Sequence, residues 1–157
     1  PSMKRKIQIY TDGGCHGNPG PGGGAFVYDN GEMTEEKYGY EAETTNNRME
    51  LTAVIRGLEY AESADGCNTD DAETEITVYT DSQYVKRGIS EWILKWERNN
   101  WKTAAKKPVK NKELWIRLKV LADRCGPSWQ WVRGHAGDEL NEKCDLLVQK
   151  VIKNHQN

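Results

Sequence analysis

Ile7-Gln8-Ile9-Tyr10-Thr11-Asp12 and Ile76-Thr77-Val78-Tyr79-Thr80-Asp81 are the two stretches that decide the fold. Each is a run of β-branched and aromatic residues that reads as a strand, and each closes on the same tripeptide, Tyr-Thr-Asp. Each strand therefore delivers an aspartate at its C-terminal end, the edge at which open α/β sheets bind ligands. If the two strands are neighbours, about 5 Å apart, Asp12 and Asp81 converge on one small volume. Two uncompensated carboxylates repel each other, and a divalent cation is the usual remedy. A single strand-end Asp reads better as the cap of the following helix. Two in identical context favour a metal site.

Outward from these strands, Gly13 to Gly24 reads as a glycine-rich loop, followed by a strand at Ala25-Phe26-Val27-Tyr28. Asp29-Asn30-Gly31 is a hairpin turn, and a weaker strand runs on through about Tyr40. From Asn46 to roughly Glu62 the residues Leu51, Val54, Ile55 and Leu58 fall at i, i+3, i+4 and i+7, which predicts a helix. The second Tyr-Thr-Asp strand is followed by short helices at Ser82 to about Gly88 and Glu91 to Arg98. A helix from Asn111 to Arg124 carries Leu114, Leu118 and Leu121 on one face. Trp129-Gln130-Trp131-Val132 alternates as a fifth strand, and a last helix from Asp138 carries Leu140, Cys144, Leu147 and Val151 on its stripe. This order predicts a mixed sheet covered by helices.

The stretch from Gly20 to Ala25 formally satisfies G-x-G-x-x-G/A, but dinucleotide binding needs a helix next and a strand follows. No G-K-[ST] occurs either, which excludes a nucleotide P-loop. The expectation that remains is a flexible loop beside Asp12 whose backbone can approach a substrate closely.

A chain of 157 residues fits one domain, here taken as residues 4–154, with a real core. No stretch approaches a membrane span or resembles a signal peptide. Cys15, Cys67, Cys125 and Cys144 show no C-x-x-C spacing, so neither zinc nor a disulfide framework is expected. A reduced, cytoplasmic, monomeric protein is the expectation.

The net charge of −2 hides an asymmetry. Lys86 to Lys112 holds nine Lys or Arg against two acids, a local +7, whereas Glu59 to Glu75 holds seven acids and no base. The basic block is interleaved with Trp92, Trp96 and Trp101, and cations alternating with stacking surface suit nucleic acid better than a membrane. Tryptophans at helical spacing also commonly belong to a core.

Glu50 ends Asn47-Arg48-Met49-Glu50, an N-x-x-E capping box, and its bland role is a helix-start bond. Because it flanks the apolar stripe, its carboxylate can instead lean toward the strand-end aspartates. Asp145 lies beside the stripe of the last helix, where a solvated acid is unremarkable. His135, in Gly134-His135-Ala136-Gly137, is by itself a surface histidine; near a metal site it becomes a candidate proton shuttle, since its pKa lies near neutrality. Three or four carboxylates at one sheet edge suit a pair of Mg²⁺ ions about 4 Å apart, which activate a water and stabilise the leaving oxygen of a phosphodiester. A metal-dependent nuclease uses every one of these features.

Thr11-Asp12-Gly13, Gly17-Asn18-Pro19-Gly20-Pro21-Gly22, Thr44-Thr45-Asn46-Asn47-Arg48-Met49-Glu50-Leu51, Thr80-Asp81-Ser82-Gln83-Tyr84-Val85, Trp101-Lys102-Thr103-Ala104, Lys107-Pro108-Val109-Lys110-Asn111, Gly134-His135-Ala136-Gly137 and Asn141-Glu142-Lys143-Cys144-Asp145 occur in this order. Together they closely resemble bacterial type 1 ribonuclease H, over nearly the whole chain. The resemblance implies an α/β, ribonuclease H-like fold: a five-stranded mixed sheet of order 3-2-1-4-5, flanked by helices, with a basic helical protrusion. It implies hydrolysis of the RNA strand of RNA·DNA hybrids by two Mg²⁺ ions (Mn²⁺ being possible), leaving 3′-hydroxyl and 5′-phosphate ends.

By the same resemblance the metal-binding carboxylates fall on Asp12, Glu50, Asp81 and Asp145, and the mobile histidine on His135. Contacts to RNA 2′-hydroxyls and the minor groove, which separate RNA from DNA, fall on Cys15, Asn18, Asn46, Asn47 and Gln83. A pocket for a DNA-strand phosphate falls on Thr45 and Asn111. Trp92, Trp96, Lys102, Lys106, Lys107 and Lys110 fall on the hybrid-gripping segment. Glu43 stands where relatives often carry a basic residue beside the phosphate pocket, Gly14 replaces a commoner Ser, and the acidic loop Gly66 to Glu75 is longer than usual. Asp138-Glu139-Leu140 departs from the pattern after His135.

Two rival functions compete with the nuclease. A non-catalytic hybrid-binding module on the same fold predicts a lost carboxylate, and none of the four is lost. A phosphotransferase of the haloacid-dehalogenase type, with Asp12 as nucleophile, needs an Asp where Gly14 stands.

Overall fold

Residues 5–66, 74–132 and 139–156 are described in the computed structural model of the chain. Five strands, β1 (Arg5–Cys15), β2 (Gly20–Asp29), β3 (Thr34–Thr44), β4 (Thr74–Thr80) and β5 (Ser128–Trp131), form one sheet of order β3-β2-β1-β4-β5. β1 pairs antiparallel with β2 and parallel with β4, so the sheet is mixed as the order of elements predicts. Helices α1 (Asn46–Asp65), α2 (Gln83–Arg87), α3 (Ile93–Arg98), α4 (Lys112–Cys125) and α5 (Glu139–Gln156) complete the chain. A π-helical turn at Gly88–Trp92 joins α2 to α3, so the two short helices expected separately run on through one irregular turn.

The repeated tripeptide sets the register at the centre of the sheet. Tyr10 lies opposite Tyr79 in the parallel β1–β4 pair, and their rings stack with centroids 4.3 Å apart. Thr11 Oγ1 donates to the Tyr79 carbonyl at 3.0 Å. Asp12 and Asp81 both lie two residues beyond that matched pair. β1 itself runs on past Asp12 to Cys15, paired with β2, so Asp12 follows the end of the β1–β4 pairing and is not the strand end that the sequence predicts.

Gly13 to Gly24 is not a flexible loop: Gly13, Gly14 and Cys15 pair with Gly24, Gly23 and Gly22 as the ends of β1 and β2, and only residues 16–19 lie outside the two strands. Close packing of helices on both sheet faces explains the composition. A Cβ on Gly13 would stand 2.4 Å from the backbone nitrogen of Glu50, and one on Gly23 would stand 2.5 Å from a Val151 methyl of α5. Glycine here buys helix-to-sheet proximity, which propensity alone would not have placed in a strand.

α1 buries Leu51, Val54, Ile55 and Leu58, the predicted stripe, in the main core with Ile7, Ile9, Val78, Leu118 and Leu121. Each such side chain contributes about 1.5–3 kcal/mol on removal from water. α5 covers the other face with Cys144, Val148, Val151 and Ile152 buried. Trp92, Trp96 and Trp101 pack against the main core beside the fully buried Trp115, with ring centroids of neighbours 5.5–6.0 Å apart. The aromatic series thus roots the basic segment on the domain.

Candidate active site

Asp12 on β1, Glu50 on α1 and Asp81 immediately after β4 offer carboxylate oxygens that all lie within 4.8 Å of one another. Asp12 and Glu50 are buried and Asp81 is half-buried. Glu50 does not cap its helix. The N-cap is Thr45, whose hydroxyl accepts from the Arg48 N–H at 3.2 Å, so the helix begins at Asn46 and Glu50 is its fifth residue. The shift of the helix start away from Asn47 frees Glu50 for the sheet edge, where the Gly13 N–H donates to its Oε1 at 3.2 Å. Among the described residues its Oε2 is buried without a hydrogen-bond partner.

Burial first, then the charges of Asp12 and Asp81, hold the Glu50 carboxyl well above the usual carboxylate range. A buried acceptor atom without a donor, inside a cluster of like charges, costs free energy in the metal-free protein and fits a cation ligand. The sign for stability follows from the raised pKa. The folded state binds the proton more tightly than the unfolded one, so Glu50 favours folding below its unfolded pKa and loses that contribution as pH rises through the folded pKa. Glu50→Gln is therefore expected to raise Tm in EDTA at neutral pH, at about 2–4 °C per kcal/mol for a domain of this size. It is also expected to flatten the pH dependence of melting between pH 4.5 and neutrality. Scanning calorimetry of both proteins across that range is the check, and a lower Tm for the variant at neutral pH contradicts it.

Asp145 lies on α5, half-buried and outside the three-carboxylate group. The thiol of its neighbour Cys144 donates to the Tyr10 carbonyl at 3.2 Å, which seats this turn of α5 on β1 two residues before Asp12. His135 falls outside the described residues.

The remaining sequence-derived positions fall on the β1–β2 turn, the starts of α1, α2 and α4, and the basic segment. At the β1–β2 turn, Cys15 Sγ lies 2.9 Å from the Gly17 carbonyl, 3.4 Å from that of Gly20 and 3.3 Å from that of Thr44. Burial pushes this thiol up, so it acts as a neutral donor that clips the turn. Asn18 Oδ1 accepts from the Asn46 N–H at 3.1 Å, which ties the turn to the start of α1 beside exposed Asn47. Gln83, the exposed first residue of α2, stands two positions after Asp81.

The start of α1 lies near the start of α4. Arg48 reaches Glu41 Oε1 at 3.2 Å, Glu113 Oε1 at 3.0 Å and Asn111 Oδ1 at 3.5 Å. Asn111 Nδ2 donates to the Tyr84 hydroxyl at 3.2 Å, and the Trp115 indole N–H donates to the same oxygen at 3.0 Å. Arg48 and Tyr84 stand inside recognisable motifs, but their partners are distant in sequence and only the fold joins them. Further out, Lys102, Lys106, Lys107 and Lys110 are exposed on a segment closed by a Lys102–Pro108 bridge, while Trp92 and Trp96 are half-buried at its base. A cavity of about 420 Å³ lies elsewhere, between α1 and the β2–β3 hairpin, and none of the three clustered carboxylates lines it.

Fold and site together define an α/β protein with a buried carboxylate centre at the C-terminal edge of paired strands. Residues 4–153 match the RNase H family model, and the chain belongs to that family. The Ribonuclease H of Treponema denticola is 51% identical over 155 residues, covering 94% of this chain and 97% of its own. That of a Wolbachia from Drosophila simulans is 49% identical, covering 95% and 97%. Among solved structures, LC9-RNase H1, described as a type 1 RNase H with the type 2 active-site motif, superposes with TM-score 0.81 at 27% identity, over 98% of this chain and 75% of the other. LC11-RNase H1, solved in complex with an RNA/DNA hybrid, gives TM-score 0.67 at 29% identity, over 96% and 99%.

Proposed function

We propose that this protein is an endonuclease that hydrolyses the RNA strand of RNA·DNA hybrids, leaving 3′-hydroxyl and 5′-phosphate ends. The observation that carries the reading is the cluster of Asp12, Glu50 and Asp81 where the β1–β4 pairing ends, in a chain of the RNase H family. The hybrid bound to LC11-RNase H1 supports the substrate class.

Asp12, Glu50 and Asp81 would hold divalent cations, with Asp145 approaching from α5. The cluster suits two Mg²⁺ ions, with Mn²⁺ as a possible replacement. When bound, such ions activate the attacking water and neutralise charge on the scissile phosphate. Gly13 fixes one oxygen of Glu50 through its N–H, and the other is buried with no hydrogen-bond partner among the described residues. Cys15, Asn18, Asn46, Asn47 and Gln83 read the RNA strand through its 2′-hydroxyls, which DNA lacks. Thr45 and Asn111 take a phosphate of the DNA strand, and the four lysines with Trp92 and Trp96 grip the duplex. The enzyme works as a cytoplasmic monomer in this reading.

A labelled hybrid incubated with and without Mg²⁺, alongside duplex RNA and duplex DNA, tests the proposal. Metal-dependent cutting of the hybrid's RNA strand alone is expected; cutting of duplex DNA, or equal cutting in EDTA, overturns it. His135 passes the proton to the leaving oxygen in this scheme, so His135→Ala should slow turnover without abolishing it. A shuttle contributes about 10²–10⁴-fold, and water substitutes in part. Single-turnover kinetics showing a loss as deep as that of Asp12→Asn would instead make His135 indispensable to the metal centre.

A further inference from the structure

We infer that Arg48 is a positioning residue for substrate binding: it fixes the side-chain amide of Asn111 so that an N–H faces the DNA-strand phosphate. The inference rests on the proposed phosphate contact of Asn111.

Donor and acceptor chemistry around Asn111 has one consistent solution. A guanidinium only donates, so the Asn111 atom facing Arg48 Nη1 at 3.5 Å must be the acceptor Oδ1. The amide nitrogen then faces Tyr84, whose hydroxyl accepts from it at 3.2 Å and from the Trp115 indole N–H at 3.0 Å. Trp115 is fully buried, so this side of the network is anchored in the core. An amide nitrogen carries two protons; one is committed to Tyr84, and the second is held in a defined direction for a ligand. Reversing the amide would set its NH₂ against the guanidinium and leave Arg48 without this acceptor. Asn111 itself sits in the left-handed backbone region at φ 59°, which also restrains where its side chain emerges.

Arg48 is poorly suited to serve as the phosphate's own cation. Glu41 and Glu113 both pair with it, at 3.2 and 3.0 Å, so its charge is already answered from two sides. Glu43, in the segment leading to Thr45, adds a third acid nearby in the chain. A positioning role and a direct cationic role therefore predict different salt behaviour. Loss of a neutral N–H contact to phosphate leaves the salt slope of binding unchanged, whereas loss of a cation paired with a phosphate lowers it by about 0.7–0.9.

The test measures hybrid affinity, with catalytically silent protein in EDTA, for Arg48→Met, Asn111→Ala and the double variant across a salt series. Expected are Kd values raised roughly tenfold in each single variant, as for one lost hydrogen bond to a charged group, with unchanged salt slopes and no further loss in the double variant. In a separate assay with Mg²⁺, KM should follow Kd while kcat holds. Arg48→Lys keeps a donor-only group and should stay within about threefold of the parent, which also serves if Arg48→Met folds poorly. Additive losses, a lowered slope or an unaffected Arg48→Met overturns the inference. An unaffected Asn111→Ala removes the phosphate contact on which it stands, and is distinguishable because that variant alone reports it.

Discussion

Asp12→Asn is expected to lower the rate of hybrid cleavage by on the order of 10³-fold or more, because it removes charge from the centre of the only carboxylate triple found among the described residues. The side chain keeps its shape and can still accept a hydrogen bond, so strand β1 and its register with β4 should persist. Affinity for the hybrid should change little, since the proposed hybrid contacts lie on the basic segment and the β1–β2 turn. The metal-free variant should also be at least as stable as the parent, because one of the charges raising the Glu50 pKa is gone. Single-turnover cleavage with Mg²⁺, Kd in EDTA and thermal melting separate these effects. Near-parental cleavage by the variant would remove Asp12 from the catalytic centre, and parallel losses of cleavage, affinity and Tm would mean that the fold had been damaged.

The aspartate pair was legible because the same six-residue pattern occurs twice, whereas the strand order came from the family resemblance. Matching strands in parallel register carry corresponding residues to the same height, and the pairing of Tyr10 with Tyr79 does this for Asp12 and Asp81. The α1 stripe was equally legible, since a 3.6-residue period survives in any tertiary setting. The glycine run was not. Strand propensity disfavours glycine, and the reason for it lies in α1 and α5 pressing on Gly13 and Gly23 from elements far along the chain.

Glu50 shows the same limit at the site. Its local pattern fits a capping box, and only the placement of Thr45 as N-cap moves it inward to meet Asp12. The Arg48–Asn111–Tyr84–Trp115 connection joins residues up to 67 positions apart, so no window on the sequence contains it. Family resemblance supplied Asn111 as a phosphate contact; the hydrogen-bond geometry supplies what orients it.

Replacing Lys102, Lys106, Lys107 and Lys110 together by Ala is expected to weaken hybrid binding strongly while leaving the chemical step nearly intact. All four side chains are exposed, and the segment that carries them is rooted by the packing of Trp92, Trp96 and Trp101 on the core. Removing the charges therefore should not unfold the protrusion, whereas replacing the tryptophans would disturb the core itself. If each lysine neutralises one phosphate, the salt slope of log K falls by about 0.7–0.9 per lysine, and the four together change it by roughly three. At that slope difference the affinity deficit is largest at low salt and shrinks as salt rises, since the parent then loses its counterion-release advantage. The deficit should be the same for hybrids of different sequence, because phosphate contacts carry no base information. Titrations over a salt series, with single-turnover rates at saturating protein, test this directly. An unchanged slope would show that the basic segment does not lie along the duplex; a slope lowered by about three with an intact chemical step would assign it to duplex grip and leave bond cleavage to the carboxylates.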